Sequence, residues 1–311
     1  MPYFFEGGFS FAFIISSWVM DYTLLFLISM IPGTIFLGFN DVLTRKILAR
    51  GFEEEKLIGI MFAGAGAILL FFVPFFGFPQ IKIGFWSALI ISVGLSIVSQ
   101  VAWMRAFKNE EASLVSPLRL LTPPLVLITG FLILGETPSL LGAAGVFTTI
   151  IGFFMLMRTD GTLNIFSLSS MQGRPGILFG ILGAFLFAIS FPYDKQGTLA
   201  SSALFFIGSA LFMVGISHLV IASLFLKKVF SISEFTNQDV VLLICTLAMG
   251  AFLTTYALNF SLVAYASSTK RLWSLWAILF AGGLLHESNI GKKLFASAVM
   301  IFGIVITVWL G

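Results

Sequence analysis

Hydrophobic positions in this chain run in long, nearly unbroken blocks, and polar residues are confined to short interruptions between them. A helix needs about 20 mostly apolar residues to cross a bilayer. On that measure the pattern predicts ten crossings, over residues 22–44, 57–77, 84–106, 112–134, 139–157, 176–193, 199–226, 239–261, 263–285 and 291–310. The breaks carry charge that hydrocarbon does not tolerate: Arg50 with Glu53, Glu54 and Glu55, then Lys108 with Glu110 and Glu111, then Glu136, Arg158 with Asp160, and Lys227-Lys228. The longest link, 158–175, is polar and too short for a soluble domain. Runs such as Ala67 to Phe76 do not alternate polar with apolar residues, which excludes a membrane β-barrel. The apolar stretch Phe9 to Met20 is too short to span. Residues 1–20 therefore read as an N-terminal extension or interfacial helix, with Met20-Asp21 as an alternative natural start.

Composition agrees with the pattern. The 311 residues are 59% hydrophobic and only 10% charged, against about 25% charged in an ordinary soluble domain. Mean hydropathy is +1.06. These values exclude a soluble globular protein, a disordered chain and a nucleic-acid binder. The net charge of +3 is a small surplus over few charges and does not describe a basic patch. With two His and the single Cys245, a multi-ligand zinc, iron–sulfur or disulfide framework is not expected, and no cofactor or metal is assigned. The acids are scattered and the two His are far apart, which argues against an enzyme. There is no Gly-x4-Gly-Lys-Ser/Thr loop to bind ATP.

Ten crossings divide into two fives: a first repeat over 21–158, a linker over 159–175 and a second repeat over 176–311. At an offset of 151 residues, Arg105–Glu136 overlies Tyr256–Glu287 without a gap. Ala106 then meets Ala257, Ser116 meets Ser267, Arg119 meets Lys270, Glu136 meets Glu287, and further on Gly152 meets Gly303. A looser match sets Lys46 opposite Lys195. An odd number of crossings per half gives the halves opposite topology, the arrangement of inverted-repeat transporters. Leaving aside Arg119, Lys270 and Arg271, which fall at membrane depth, the odd connections hold 12 Lys and Arg and the even connections hold only Lys82 and Lys195. The positive-inside rule then places the odd loops in the cytoplasm of a multi-pass plasma (inner) membrane protein.

The fourth crossing reads Ala112-Ser113-Leu114-Val115-Ser116-Pro117-Leu118, then Thr122-Pro123-Pro124, Gly135-Glu136 and the spaced Gly142, Gly145 and Gly152. The ninth repeats the plan, ending Leu285-His286-Glu287 with Gly303 beyond, although Ser268 stands where Pro117 would be. The chain resembles the EamA-like domains of the drug/metabolite transporter superfamily over nearly its whole length after residue 20. That resemblance implies an all-α polytopic fold of ten transmembrane helices in two inverted five-helix repeats, a central cavity and alternating access. Family members carry amino acids, amines, nucleotide sugars, sugar phosphates and drugs, so the resemblance does not name a substrate.

The charges at membrane depth narrow the choice. A central Arg or Lys costs about 2.5–3.5 kcal/mol on insertion scales, so Arg119, Lys270 and Arg271 are expected to face a wet cavity, an anion or an acidic partner. Arg offers a planar fork suited to carboxylate or phosphate, and Lys a point charge. The Lys270-Arg271 pair also resembles the phosphate-binding pair of the sugar-phosphate/phosphate translocators, with Arg119 as the added cation from the fourth helix. Gln100 and Trp103, with Ser96 and Phe107 near the same face, and Tyr256, Asn259 and Trp273 with Ser274 complete the candidate cavity wall. Asp41 with Arg45 at i, i+4, then Lys46, Asp194 and Lys195, are the gating or coupling candidates. Asp41 and Asp194 could also neutralise the intramembrane cations. Glu136 and Glu287 read as helix caps, Gly64 and Gly66 as close packing, His218 as a packing or pore-edge residue, and Cys245 as a small buried hydrophobe. The reading is a secondary transporter of a small polar metabolite, anionic or zwitterionic. The alternative is an amino-acid, amine or drug exporter in which the cations serve structure. The expected partners are the small-molecule substrate, the lipid bilayer and a second copy as a homodimer, with no nucleic acid.

Overall fold

The computed structural model describes residues 8–109, 116–158, 175–224, 237–285 and 290–310. Every regular element among them is helical. In chain order these are α1 (Gly8–Ala49), α2 (Glu54–Phe76), α3 (Phe85–Asn109), a 3-10 turn (Ser116–Leu121), α4 (Thr122–Leu134) and α5 (Leu140–Arg158). There follow α6 (Pro175–Leu199), α7 (Ala203–Leu224), α8 (Gln238–Tyr256), a second 3-10 turn (Ala257–Phe260), α9 (Val263–Lys270), α10 (Leu272–Leu285) and α11 (Ile290–Val305), which ends in a π-helical stretch (Ile306–Leu310). Six stretches are long and apolar enough to cross a membrane: Tyr22–Ala49, Glu54–Phe76, Phe85–Ala106, Pro175–Leu199, Ala203–Leu224 and Gln238–Phe260. Thr122–Leu134 and Leu140–Gly152 are shorter apolar helices. The chain is thus an all-helical multi-pass membrane protein. α1 runs from Gly8 through the first crossing without interruption, so no helix end marks the boundary drawn at residue 20.

The stretches predicted as the fourth and ninth crossings are broken among the described residues, where the hydropathy pattern predicts one continuous helix each. In the fourth, the Pro-rich sequence explains the break. Pro123 and Pro124 occupy the first turn of α4, where their missing N–H groups leave no helical bond unmade. The ninth breaks at Arg271 without a proline. Here Ser268 Oγ and Thr269 Oγ1 both donate to the Tyr265 carbonyl, each at 2.9 Å, and the Arg271 N–H donates to the Ser268 carbonyl at 3.0 Å. Hydroxyls bonding back to the preceding turn compete with the helical ladder and bend it. Both breaks therefore fall beside the aligned cations, Arg119 in one half and Lys270-Arg271 in the other.

Packing is mostly between halves. α2 packs on α7, α3 on α6, α1 on α8 and α10, α4 on α6 and α9, and α5 on α11. Small residues make the closest approaches. A Cβ on Gly66 would lie 2.6 Å from the Phe212 Cα across the α2–α7 contact. Gly145 and Gly303 are reciprocal: a Cβ on either would sit 2.8 Å from the other's carbonyl oxygen. Gly64 meets the Ile244 side chain, so these glycines do serve packing. One apolar cluster joins α1, α2, α7 and α8 through Leu37, Leu57, Ile60, Leu211, Leu243 and Leu247. A second joins α1, α4, α6 and α9 through Phe26, Met30, Val126, Ala188 and Val263. Asn40 crosses from α1 to α8, donating to the Leu243 carbonyl at 2.7 Å and to Thr246 Oγ1 at 3.0 Å. Outward faces carry Phe71, Phe75, Ile90, Leu132 and Phe302, as a lipid-facing surface requires. Cys245 corrects the expectation of burial. It is a free, exposed thiol on the α8 stripe that also presents Val241, Met249 and Tyr256, where an apolar solvent accepts a small hydrophobe.

Candidate functional site

A cavity of about 210 Å³ lies between the two halves. α3 supplies Ser92, Ser96, Ser99, Gln100 and Trp103 to it. Ser92, Ser96 and Ser99 recur at helical spacing, so one face of α3 is hydroxylated. The 3-10 turn brings Arg119, and the start of α4 brings Thr122. α6 contributes Phe187, Phe191 and Asp194, and α8 contributes Thr254 and Thr255. The end of α9 places Lys270, the break places Arg271, and α10 opens with Trp273.

The three cations are held on aromatic faces. Arg119 lies over the Trp103 ring at 5.1 Å. Lys270 lies over Phe191 at 5.4 Å and over Trp273 at 5.9 Å, and Arg271 lies over Trp273 at 5.9 Å. Ring faces attract cations without neutralising them. Arg271 is 6% exposed, and its Nε has no hydrogen-bond partner. Arg119 and Arg271 line the cavity as like charges, and Asp194 and Lys270 line it as opposite ones. The Asp194 carboxylate accepts a hydrogen bond from Ser92 Oγ, and the Ser92 and Ser190 hydroxyls are 3.2 Å apart. Among the described lining residues, three cations face one carboxylate, a formal surplus of 3 − 1 = +2.

Of the sequence candidates, Arg119, Lys270, Arg271, Gln100, Trp103, Trp273 and Asp194 meet at this cavity. Tyr256 and Asn259 are not brought to it. Tyr256 is 39% exposed and packs on Phe252 and Phe260, and Asn259 Nδ2 donates to the Tyr256 carbonyl at 2.9 Å. Tyr256 closes α8 on an outward face, and the 3-10 turn at Ala257–Phe260 shifts Asn259 from the direction that a continuous helix would give it. Asp41 is half-buried in α1, and the Arg45 side chain lies outside the described residues, as do the Phe107 and Ser274 side chains, His286 and Glu287. Lys46 donates to Asp239 at 3.1 Å, and Arg50 joins the same carboxylate. His218 is buried on α7, with its Nε2 unpartnered.

Asp194 and Lys195 turn apart. Lys195 Nζ donates to Glu136 Oε1 at 2.5 Å and to the Ser261 carbonyl at 2.6 Å. Glu136 Oε2 accepts from the Val263 N–H at 2.7 Å. Glu136 therefore caps a helix, as its position before a new helix suggests, but the helix is α9 of the other half and not α5, which follows it in sequence. Gly135 makes this reach: its left-handed backbone (φ +69°) ends α4 and turns the chain across the bundle. The sequence reading also missed Thr122, Thr254, Thr255, Phe187 and Phe191. Ser92 and Ser99 could have been found from their spacing with Ser96.

Residues 24–158 match the family model of the EamA-like transporters. No curated protein matches the chain. Among solved structures, 21 chains match. One, a crystal structure described simply as that of a protein, aligns over 94% of this chain and 99% of its own, with a TM-score of 0.73 at 15% identity. At that identity the likeness is one of fold. Residues 24–158, which hold the 3-10 turn, Arg119 and the α3 wall of the cavity, are thus similar to the EamA-like transporter family, a branch of the drug/metabolite transporter superfamily.

Proposed function

We propose that this protein is a secondary transporter of a small anionic metabolite, working by alternating access between two inverted five-helix halves of a plasma membrane protein. The observation that carries the substrate charge is the buried Arg271 guanidinium, with its unpartnered Nε, at a cavity where three cations face one carboxylate. An anion supplies the acceptor that Nε lacks, and a charge-assisted hydrogen bond is worth about 1.5–3 kcal/mol. The cavity volume, about 210 Å³, lies below the roughly 300–1,000 Å³ of pockets for drug-sized ligands. That favours a small metabolite over a drug. The hydroxyls of α3 suit a substrate with polar groups beyond its anionic one.

The helix pairings support the inverted halves. Exchanging the first five crossings for the second turns the α3–α6 contact into the α1–α8 contact, and the α4–α6 contact into α1–α10. It returns α2–α7 and α5–α11 to themselves. The two breaks beside the cations exchange as well. Discontinuous helices at the midplane are where transporters of this architecture hold their substrates.

The presence of Asp194 in the same cavity wall as Lys270 favours one second reading, in which the cations are partly neutralised and the cargo is zwitterionic or amine-bearing. The test is a thermal-shift screen of purified protein with phosphorylated metabolites, carboxylates, amino acids and hydrophobic amines, followed by uptake of the best binder into proteoliposomes. Stabilisation by anions that is lost in both Arg119→Ala and Lys270→Ala supports the anion carrier. Stabilisation by amines that survives both changes sinks it and favours the exporter.

A further inference from the structure

We propose that Glu136 and Lys195 form a gate at the end of the bundle where the even connections lie, tied mechanically to the cavity through α9. The proposal rests on the transport reading and assigns its moving part. Glu136 belongs to the connection after α4, Lys195 lies near the end of α6 beside the connection that follows it, Ser261 belongs to the connection before α9, and Val263 opens α9. Three even connections from both halves are therefore fastened at one point by contacts of 2.5, 2.6 and 2.7 Å. The Lys195 and Glu136 side chains are each 12% exposed, so this is no solvated surface pair. By contrast, the Lys46–Asp239 pair of the odd connections is open to solvent, with Lys46 49% exposed.

Two short paths lead from this point to the site. α9 has eight residues, with Val263 held by Glu136 at its first position and Lys270 at its last. At about 1.5 Å per residue it is a rod of roughly 12 Å. In α6, Asp194 lines the cavity and its neighbour Lys195 closes the gate. An anion that draws Lys270 and Arg271 inward must pull on α9, and so on the Glu136 carboxylate that caps it. Opening this end requires Lys195 to leave Glu136 and the Ser261 carbonyl, since the three connections cannot separate while both bonds stand.

The test measures accessibility. Ser96→Cys in a Cys245→Ser background serves as a cavity reporter in the full-length protein, labelled by a membrane-impermeant maleimide in intact cells and in inverted vesicles. Glu136→Gln and Lys195→Gln should each raise labelling from one face by roughly tenfold and lower it from the other, since removing one partner of a buried pair shifts a two-state balance that strongly. The double variant should go no further, because both substitutions open one lock. Unchanged labelling in variants that keep the parent melting temperature would overturn the gate, and so would an equal rise from both faces. These outcomes need no substrate. Inorganic phosphate added to the parent protein then tests the anion reading separately. If phosphate and other anions leave labelling unchanged while the gate variants behave as expected, the anion reading fails and the gate stands. An anion effect that disappears in Lys270→Gln supports the link through α9.

Discussion

Replacing Arg271 with methionine separates a substrate-binding cation from a structural one. The guanidinium is 6% exposed, with Nε unpartnered, and it shares the cavity wall with Arg119. A buried donor without a partner costs about 1–3 kcal/mol, more if charged, and methionine fills a similar volume without that cost. The ligand-free protein should therefore melt at the same temperature or higher. Anion binding should weaken at the same time. Losing one or two charge-assisted hydrogen bonds, at about 1.5–3 kcal/mol each, predicts a fall in affinity of at least ten-fold. Titration of the purified protein with the best anion from the screen, followed by melting temperature and by isothermal calorimetry, reads both quantities on one sample. Arg271→Lys should recover part of the affinity through charge, but not the planar fork. The reasoning is refuted if Arg271→Met lowers the ligand-free melting temperature by several degrees and leaves the anion response intact. That result would mean that the guanidinium completes an internal network.

Trp103→Ala should weaken anion binding by roughly 2–10-fold, by removing the ring beneath Arg119; unchanged affinity would show that the ring does not seat the cation. Gly145→Leu should sharply reduce the yield of folded protein in detergent, because its side chain must enter the space of the Gly303 carbonyl; a normal gel-filtration profile would contradict the α5–α11 contact. Asp239→Asn should leave the melting temperature unchanged, since its partners Lys46 and Arg50 are solvated; a marked drop would show a structural role at that end. A nitroxide on Cys245 should relax faster with oxygen than with a water-soluble nickel complex in liposomes, as a lipid-facing position requires; the reverse order would place α8 against water.

The hydropathy pattern carried the helical membrane architecture, because burying backbone in lipid leaves little choice beyond long apolar helices. The cost of Arg119, Lys270 and Arg271 in hydrocarbon pointed to a shared polar interior, and the cavity brings them together. The break in the ninth crossing was not legible. Proline marks the fourth, but the ninth depends on where the Ser268 and Thr269 hydroxyls point, which is a choice of side-chain torsion. Asn259 lies away from the cavity for a related reason, since a 3-10 turn shifts the phase that helical spacing assumes, whereas Tyr256 lies on the outward face of α8 itself. The Glu136–Lys195 pair joins residues 59 apart in sequence, from opposite halves. Nothing local to either residue specifies that meeting, which arises only once α4, α6 and α9 are assembled.

The three cations and one carboxylate of the cavity also set its electrical behaviour. In the proposed transport cycle, the described lining residues carry a formal surplus of +2, which the empty protein would move through the voltage when it reorients, at about 2.3 kcal/mol per charge per 100 mV for a full crossing. A dianion in the cavity cancels the surplus, and the loaded carrier then reorients without displacing net charge. The membrane potential would thus hold back the empty protein in one direction while leaving the loaded one unopposed. On the proposed cycle, a carrier so charged would work as an exchanger, returning across the membrane only with a second anion aboard.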